Sequence, residues 1–419
     1  MDNFAPGAAT HFDVAIIGGG PAGLSAAIEL KKRGVSRVAV LDREPHAGGI
    51  PRHCGHLAFG MREFKRILTG PDYARRLVQA AQDAGAEIYT VVTVAEARPG
   101  GELLIITERG TGKISADRII YATGVRETPR SARLISGNRP QGIMNTGALQ
   151  SMVYLKNRKP FNCPVIIGTE LVSFSAIMTC RHARIRPVAM IEEAPQVTAR
   201  WPSSLYPRFI GIPLLLDTHI AAIEGNAKVS AVVVQKADGR QRRIDCDGVL
   251  LTGKFTPEAS LASCGHLAVD PGTGGPAVDQ YGRCSDPAYF ATGNILRPVE
   301  TAGWSWSEGR QTGHWVAEDL AGHLPVEQNT LQIVAKSPQI RYVVPQKLVL
   351  PRTSWGMNSL QLRFTCSATG RLEVCNGAGV IKTQKLSVHP ERRVLLSLKE
   401  LSFEENGDRI ELRFKEPLS

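Results

Sequence analysis

The opening of the chain alternates between apolar runs and turns in the order strand, helix, strand. Residues 12–17 form an apolar run typical of a buried strand, and the glycine-rich segment 18–23 predicts a tight turn after it. The amphipathic stretch 24–33 predicts a helix, Gly34 ends it, and residues 37–41 predict the next strand. This order is typical of an α/β fold.

The same order returns about 150 residues later in the chain. A short apolar strand is predicted at 165–167, followed by a turn at Gly168, a helix that extends to about Arg184, and a strand at 187–191. Two such units form an internal repeat. Shorter alternating runs between the units predict an antiparallel insert. These runs lie at 102–107 and 113–121.

The segment from about residue 329 to the end has a different pattern. Apolar and polar residues alternate there at period two, and turns that contain Gly or Pro separate the runs. The runs are 341–344, 361–366, 371–375, 393–398 and 409–414. We therefore expect a small β-rich C-terminal domain, residues 335–419, that a linker at 322–337 joins to the rest.

Composition limits the class of protein. The chain has 419 residues, of which 43% are hydrophobic and 21% charged, so it has enough apolar mass for two or three globular domains. No apolar run reaches the ~18 residues that a membrane helix needs, which leaves peripheral membrane contact open. The N-terminus, MDNFAPGAATHFD, has no Lys or Arg before its first apolar run and does not resemble a secretory signal. We expect a cytoplasmic protein.

Net charge and cysteine content limit the classes of ligand and partner that we expect. The net charge of +11 favours anionic substrates, acidic partner subunits or nucleic acid. Nucleic acid is not expected, because the Lys and Arg residues are dispersed and no basic run is interleaved with aromatics. The eight Cys residues contain no CxxC pair, so we expect no metal site, iron–sulfur cluster or disulfide framework.

The glycine-rich turn predicts a dinucleotide site. Gly18 permits the tight turn, Gly20 lets the backbone approach a pyrophosphate, and Gly23 lets the helix pack close to the strand. The N-terminus of the helix that follows the turn supplies free N–H groups and a partial positive charge for the phosphates. Asp42, 19 residues past Gly23, ends the next strand, where a carboxylate can accept the hydroxyls of an adenosine ribose.

The second turn lacks these features. Its sequence is Gly168-Thr169-Glu170-Leu171-Val172-Ser173, with Glu170 at the middle glycine position and Ser173 at the close-packing one. A side chain and a negative charge then occupy the place that a pyrophosphate would approach. We expect a degenerate NAD(P)-binding-like domain kept as scaffold rather than a working NAD(P)H site.

Two further segments bear on the cofactor. An apolar strand ends in Ala122-Thr123-Gly124, and Tyr289-Phe290-Ala291-Thr292-Gly293-Asn294 follows much later. With the first turn, this order resembles the two-dinucleotide-domain flavoproteins of the pyridine nucleotide-disulfide oxidoreductase type, over about residues 11–320. The resemblance implies a glutathione-reductase-like fold: a Rossmann-like FAD domain at 11–155 and 275–322, with a second Rossmann-like domain, 156–274, inserted in it.

The resemblance also implies how FAD is held. A helix that starts near Gly303 would direct its N-terminus at the flavin, where its dipole stabilises the anion of the reduced ring. The family usually has Asp where this chain has Asn294, whose amide would bond the ribityl hydroxyls. The residues expected to contact FAD are Gly18, Gly20, Pro21, Ala22, Gly23, Asp42, Arg43, Gly49, Ala122, Thr123, Gly124, Gly293, Asn294 and Gly303.

The segment Gly48-Gly49-Ile50-Pro51-Arg52-His53-Cys54-Gly55-His56 carries the candidate chemistry. By the resemblance it runs towards the flavin ring, where disulfide reductases place two redox cysteines, whereas Cys54 stands alone. His53 and His56 would either lower the pKa of Cys54 or act as a general base. The alternative is that both imidazoles satisfy a crowded loop. Arg52 or Arg62 would bind a substrate anion, and Trp304 would line the pocket or serve in packing.

A narrower resemblance suggests an activity. The segments PRHCGH, GMREFKRILTGP and ATGVRETPRSARLISGNRP resemble flavin subunits of glycerol-3-phosphate, proline, opine and other amine or hydroxy-acid dehydrogenases. The resemblance implies an FAD-dependent dehydrogenase, in a hetero-oligomer, that passes electrons from a small amine or hydroxy substrate to a partner or a quinone. Two alternatives stay open: an NAD(P)H-dependent flavin reductase that uses Cys54, and a noncatalytic nucleotide-binding subunit.

Overall fold

A computed structural model describes residues 10–199, 202–326, 329–353, 355–377, 379–390, 392–401 and 409–416. Residues 1–9, which make up most of the N-terminal stretch from which we predicted no secretory signal, lie outside these residues. No helix in the described part of the chain is both long and apolar enough to cross a bilayer.

The first unit is built on a seven-stranded sheet. Its parallel part pairs the apolar strand Thr10–Ile17 with strands on both sides, and an antiparallel pair extends one edge, where the sequence predicted an insert. The strands are Thr10–Ile17, Val38–Leu41, Glu87–Tyr89, Thr93–Arg98, Glu102–Thr107, Gly110–Tyr121 and Tyr289–Ala291. The last of these strands pairs in parallel with the long strand Gly110–Tyr121. Segments that precede and follow the second unit in the sequence therefore belong to one sheet.

The second unit contains a five-stranded parallel sheet and a four-stranded sheet with an antiparallel meander. The parallel strands are Ile143–Asn145, Gly248–Leu251, Pro164–Ile167, Ala189–Ile191 and Leu214–Leu215. The others are Ser136–Gly137, Thr218–Glu224, Ala231–Lys236 and Gln241–Asp245. The strands at 136–137 and 143–145 thus belong by pairing to the second unit, although they precede residue 156.

The C-terminal unit is β-rich, as the period-two alternation predicted. A five-stranded sheet contains Lys347–Leu350, Asn329–Ala335, Arg409–Lys415, Ala368–Asn376 and Gly379–Val388, and a three-stranded sheet contains Ile340–Val344, Ser359–Phe364 and Val394–Ser397. The strand Asn329–Ala335 lies inside the stretch expected as a linker, so that expectation was wrong there. Its alternate residues Leu331 and Ile333 are buried in the core of this unit.

Seven α-helices lie in the described part of the chain, and all but Gly70–Asp83 contribute residues to the cavity described below. They are Pro21–Lys32, Gly70–Asp83, Thr146–Gln150, Leu171–His182, Tyr206–Phe209, Ser260–Ser263 and Ala302–Leu320. The first begins three residues earlier than predicted, because Pro at the first helical position is preorganised for the helix. Pro21, Ala22 and Gly23 are therefore its first turn and not part of the loop.

Small residues let the first and last long helices cross closely. A Cβ on Gly309 would lie 2.0 Å from the carbonyl oxygen of Ala22, and one on Gly313 would lie 2.6 Å from that of Ala26. The Ser25 hydroxyl adds a hydrogen bond to the Trp306 carbonyl oxygen, 2.7 Å away. This contact places the N-termini of both helices at the same cavity.

Replacement of Gly309 tests this crossing. Gly309→Val forces the helices apart, and we expect the free energy of unfolding in urea to fall by about 1–3 kcal/mol, as in overpacked cores. Gly377→Ala is the control, because a Cβ there meets no atom within 4 Å, and its change should stay within about 0.5 kcal/mol. Equal stabilities for the two variants would contradict the close contact.

Candidate active site

The first glycine turn has the geometry that its spacing predicted. Gly18 adopts a φ of +109°, and a Cβ there would lie 2.5 Å from the Ala122 carbonyl oxygen, so only glycine fits. A Cβ on Gly23 would lie 2.0 Å from the Gly18 carbonyl oxygen, so the helix packs directly on the strand. A Cβ on Gly20, in contrast, would have only one atom within 4 Å, at 3.9 Å. Gly20 therefore faces open space.

Asp42 is held at the end of the second strand. Its carboxylate accepts hydrogen bonds from the backbone N–H groups of Gly19 and Glu44, both at 2.9 Å. Burial raises the pKa of this carboxyl, and the two backbone hydrogen bonds oppose the rise. The carboxylate is thus positioned by the turn that it follows. Arg43, next to it, is exposed and also faces the cavity.

A second pair of glycines closes over the first turn. The N–H of Gly48 donates to the carbonyl oxygen of Gly19 at 2.7 Å, and a Cβ on Gly49 would lie 2.8 Å from the Gly20 Cα. Gly124, across the opening, has no atom within 4 Å of its Cβ position. The backbone of Gly20, Gly49 and Gly124 therefore borders a channel without side chains, as close approach to a pyrophosphate requires.

These residues line a single cavity of about 1970 Å³. It extends from Asp42 past the glycines to the start of the helix Ala302–Leu320 and to His53 and His56. Of the fourteen residues expected to contact FAD, all except Gly23 and Gly293 line it, and those two pack against Gly18 and Ala22. The length of the cavity, its carboxylate and its side-chain-free channel fit FAD.

Asn294 has a role that the sequence did not reveal. Its side-chain amide donates to the Glu300 carbonyl oxygen at 3.1 Å, and its side-chain oxygen accepts from the Glu300 N–H at 2.8 Å. An ionised Asp would lack the donor for the first bond. Asn at this position therefore braces the loop that leads into the last long helix.

The environment of Cys54 excludes an activated thiol. Burial, followed by the nearby Glu127, raises the pKa of this thiol to about 12. Its Sγ contacts the side-chain oxygen of Gln150 at 3.4 Å and forms no disulfide. The expectation that His53 and His56 lower the pKa of Cys54 was wrong, since burial and a carboxylate outweigh any effect of the imidazoles.

His53 and His56 both line the cavity and favour the neutral form. Burial lowers the pKa of each imidazole below its ordinary value. The Nδ1 of His56 lies 3.2 Å from the Ser175 hydroxyl, which in turn accepts from Gln150 at 2.8 Å. The Nδ1 of His53 has no hydrogen-bond partner among the described residues. His53 is therefore the imidazole with an uncommitted nitrogen.

Arg52, Arg62 and Trp304, which we expected to bind substrate, lie at two separate places in the cavity. Arg52 forms an ion pair with Glu44 at 3.4 Å, beside the Asp42 end of the cavity. The Arg62 guanidinium stacks on the Trp304 ring, 4.2 Å from its centroid. Sequence reasoning missed a third member of this stack, Arg393, whose guanidinium lies 4.1 Å from the same centroid. No local motif marks Arg393, because the C-terminal fold brings it there.

The second turn repeats the backbone hydrogen bonds of the first. Gly18 and Gly168 both donate to the last residue of the neighbouring strand, Leu41 and Ile191 respectively, at 2.8 Å. In the second turn, however, the Glu170 carboxylate accepts from the Lys254 N–H at 2.9 Å. The same carboxylate lies 2.0 Å from the position of a Gly253 Cβ.

Ser173 is also built into the second turn. Its hydroxyl is fully buried and lies 2.6 Å from the Thr252 hydroxyl, which donates to the Ile167 carbonyl oxygen. An acidic side chain and a buried hydroxyl pair thus occupy the turn where a pyrophosphate would approach.

Comparisons with known proteins agree with this architecture. The chain matches the model of the pyridine nucleotide-disulphide oxidoreductase family over residues 12–313. Its fold resembles the crystal structure of thioredoxin reductase from T. acidophilum, with a TM-score of 0.63 and 24% identity, over 74% of this chain and 98% of that one.

Two curated relatives are components of oxidases. One component of the opine oxidase of Agrobacterium tumefaciens is 24% identical over 68% of this chain and 61% of its own length. The alpha component of the sarcosine oxidase of a Corynebacterium species is 27% identical over 60% of this chain and 27% of its own length. The chain therefore spans about three fifths of the first relative and about a quarter of the second.

Gly20 offers a test of the cofactor channel that spares the fold. Gly20→Ala should reduce the FAD affinity on the order of tenfold or more, because the added methyl enters the channel, while thermal unfolding of the apoprotein stays unchanged. Gly23→Ala, whose methyl meets backbone, should instead lower stability. Flavin absorbance per protein measures the first effect. Full FAD content in Gly20→Ala would contradict the channel.

Proposed function

Because the chain belongs to the pyridine nucleotide-disulphide oxidoreductase family, whose members bind FAD, we propose that it is an FAD-dependent dehydrogenase or the flavin subunit of one. It takes a hydride from a small amine or hydroxy substrate and passes the electrons to a partner subunit or to a quinone or dye acceptor. Two-electron reduction of the flavin by substrate then replaces reduction by a pyridine nucleotide.

The observation that carries this proposal is the state of the second turn. The Glu170 carboxylate accepts a hydrogen bond from the Lys254 backbone N–H and occupies the turn that a nucleotide phosphate would approach. A phosphate brought there would meet like charge in a partly dry site, which costs several kcal/mol at short range, roughly 4 kcal/mol at 4 Å with intermediate screening. Electrons therefore need another entrance and exit.

The relatives support the substrate class and a partner. The opine oxidase and sarcosine oxidase components are named for the oxidation of amines, and both are named as subunits. This chain spans only part of each relative, and it includes the residues that border the cofactor channel. A multi-subunit enzyme accounts for an electron exit outside the chain.

The proposed chemistry requires a proton acceptor beside the cofactor. FAD, when bound, supplies a two-electron acceptor for a substrate C–H bond. Loss of that hydride converts an amine to an imine or an alcohol to a carbonyl, and the N–H or O–H proton must leave. His53 is the candidate for this task, because burial lowers its pKa and favours the neutral base form, and because its buried Nδ1 has no hydrogen-bond partner among the described residues.

The thiol route of the disulfide reductases is less well supported. A thiol with a pKa of about 12 is protonated at neutral pH and is a poor nucleophile. Its neighbours, Gln150 and Glu127, supply no positive charge to stabilise a thiolate.

Anaerobic mixing with reductants tests the direction of electron flow. NADH and NADPH should leave the visible flavin absorbance of the FAD-loaded protein unchanged, because Glu170 blocks the nucleotide site, whereas dithionite as control bleaches it. A screen of small hydroxy and amino acids should find at least one that bleaches the flavin. Rapid bleaching by NADH would overturn the proposal, and a flavin that no acid reduces, with or without partner subunits, would favour a noncatalytic role.

The pH dependence of kcat/KM tests His53. Because burial lowers its pKa, the base stays active above pH 6.5 and is lost only below it, so the profile with a hydroxy substrate should be flat above that pH and fall at lower pH. His53→Gln should reduce kcat by about 10²–10⁴-fold and abolish the acidic limb. His56→Gln is the matched control and should keep the limb. An acidic limb centred above pH 6.5, or one that persists in His53→Gln, would exclude His53 as the base.

A further inference from the structure

The C-terminal unit supplies one wall of the cavity. Arg363, Arg392, Arg393 and Leu395 line the same space as His53 and Trp304. Arg392 and Arg393 directly precede the strand Val394–Ser397, which fixes their position against the first unit. The wall therefore combines residues that the sequence separates widely.

Arg393 is the best placed of these side chains. Only 12% of its side chain is exposed, and its guanidinium stacks on Trp304, which Arg62 also contacts. Its hydrogen bond within the described residues runs from Nη1 to the side-chain oxygen of Gln361, at 3.2 Å. A planar guanidinium has five N–H donors, so most of its capacity remains for a ligand.

The two carboxylates near Arg393 form shorter contacts with other arginines. Glu300 accepts from Arg363 at 2.8 Å, and Glu308 is bonded to the fully buried Arg297. Arg393 lies farther from both, with its Nε 3.8 Å from Glu300 and its Nη1 3.9 Å from Glu308. Three guanidinium groups against two carboxylates leave one positive charge at the cavity wall.

Arg392 adds a second cation to this wall. It lines the cavity, and its Nε is buried without a hydrogen-bond partner among the described residues. Incompletely paired charges are costly beside a cavity, and an anion bound there would offset the excess positive charge. A carboxylate matches the fork of an arginine with two parallel hydrogen bonds.

We propose that Arg393, assisted by Arg392, binds the carboxylate of the substrate, so that the C-terminal unit selects amino or hydroxy acids over uncharged amines and alcohols. This inference rests on the proposed function for its substrate class. Binding of a carboxylate at Arg393 and Arg392 can be measured without enzymatic turnover.

Calorimetric titration with 2-furoate tests the site directly. This planar carboxylate has no hydride to give, and its amide, 2-furamide, is the uncharged control. The FAD-loaded protein should bind 2-furoate and not 2-furamide. Arg393→Gln should weaken 2-furoate binding about tenfold or more, the loss of one charge-assisted bidentate contact, and Arg393→Lys should recover only part of it.

Two controls separate binding from folding. Arg371→Gln changes an exposed arginine of the same unit and should leave 2-furoate binding unchanged. Flavin content and thermal unfolding are measured for every variant, and Arg392→Gln, with a smaller expected loss, replaces Arg393→Gln if that variant does not fold. Unchanged affinity in both variants, or no binding of 2-furoate to the unaltered protein, would overturn the proposal.

The assay distinguishes this proposal from the proposed function. Arginine-dependent binding of 2-furoate by a protein that no acid reduces would uphold the site and reject the dehydrogenase. If substrates bleach the flavin and Arg393→Gln leaves their KM unchanged, the dehydrogenase is upheld and the carboxylate site is rejected. Inorganic phosphate that binds more tightly than 2-furoate would assign the site to phosphate monoesters and overturn the carboxylate assignment.

Discussion

The crossing of the helices Pro21–Lys32 and Ala302–Leu320 is the contact on which the site depends. Gly309 and Gly313 let the two backbones approach at Ala22 and Ala26, so that residues from opposite ends of the family match share one cavity. One helix begins at the glycine turn, and the other begins beside Trp304. The glycine turn and the start of the last long helix are thus brought to one cavity by the same packing.

The two repeats show that scaffold and binding are separable. Gly18 and Gly168 have nearly the same φ, +109° and +108°, and donate equivalent hydrogen bonds to the neighbouring strand. The difference lies in the next positions, where the first turn presents bare backbone at Gly20 and the second presents Glu170. The hydrogen bonds of a Rossmann-like turn are therefore present in the sheet even where a side chain occupies the middle glycine position.

The sequence predicted those features that depend on residues close together in the chain. The repeats, the antiparallel insert and the alternation of the C-terminal strands follow from periodicity and turn residues, and the glycine and Asp42 positions follow from backbone geometry. Prediction from the sequence failed where distant segments meet. The strand Asn329–Ala335 is identified only by its pairing with the distant strand Arg409–Lys415. The Asn294 side chain bonds to Glu300 within a loop. Arg393 contacts Trp304 only through tertiary packing. The pKa of Cys54 likewise depends on burial, which no motif encodes.

The second turn has a consequence for the redesign of this chain. Glycine in place of Glu170 would uncover Gly253 and the Lys254 amide, yet the Ser173 hydroxyl would still hold the helix start to Thr252. A turn with the same open backbone as the first one therefore requires replacement of both Glu170 and Ser173. Under the proposed function, these two changes separate the present chain from an enzyme that a pyridine nucleotide reduces.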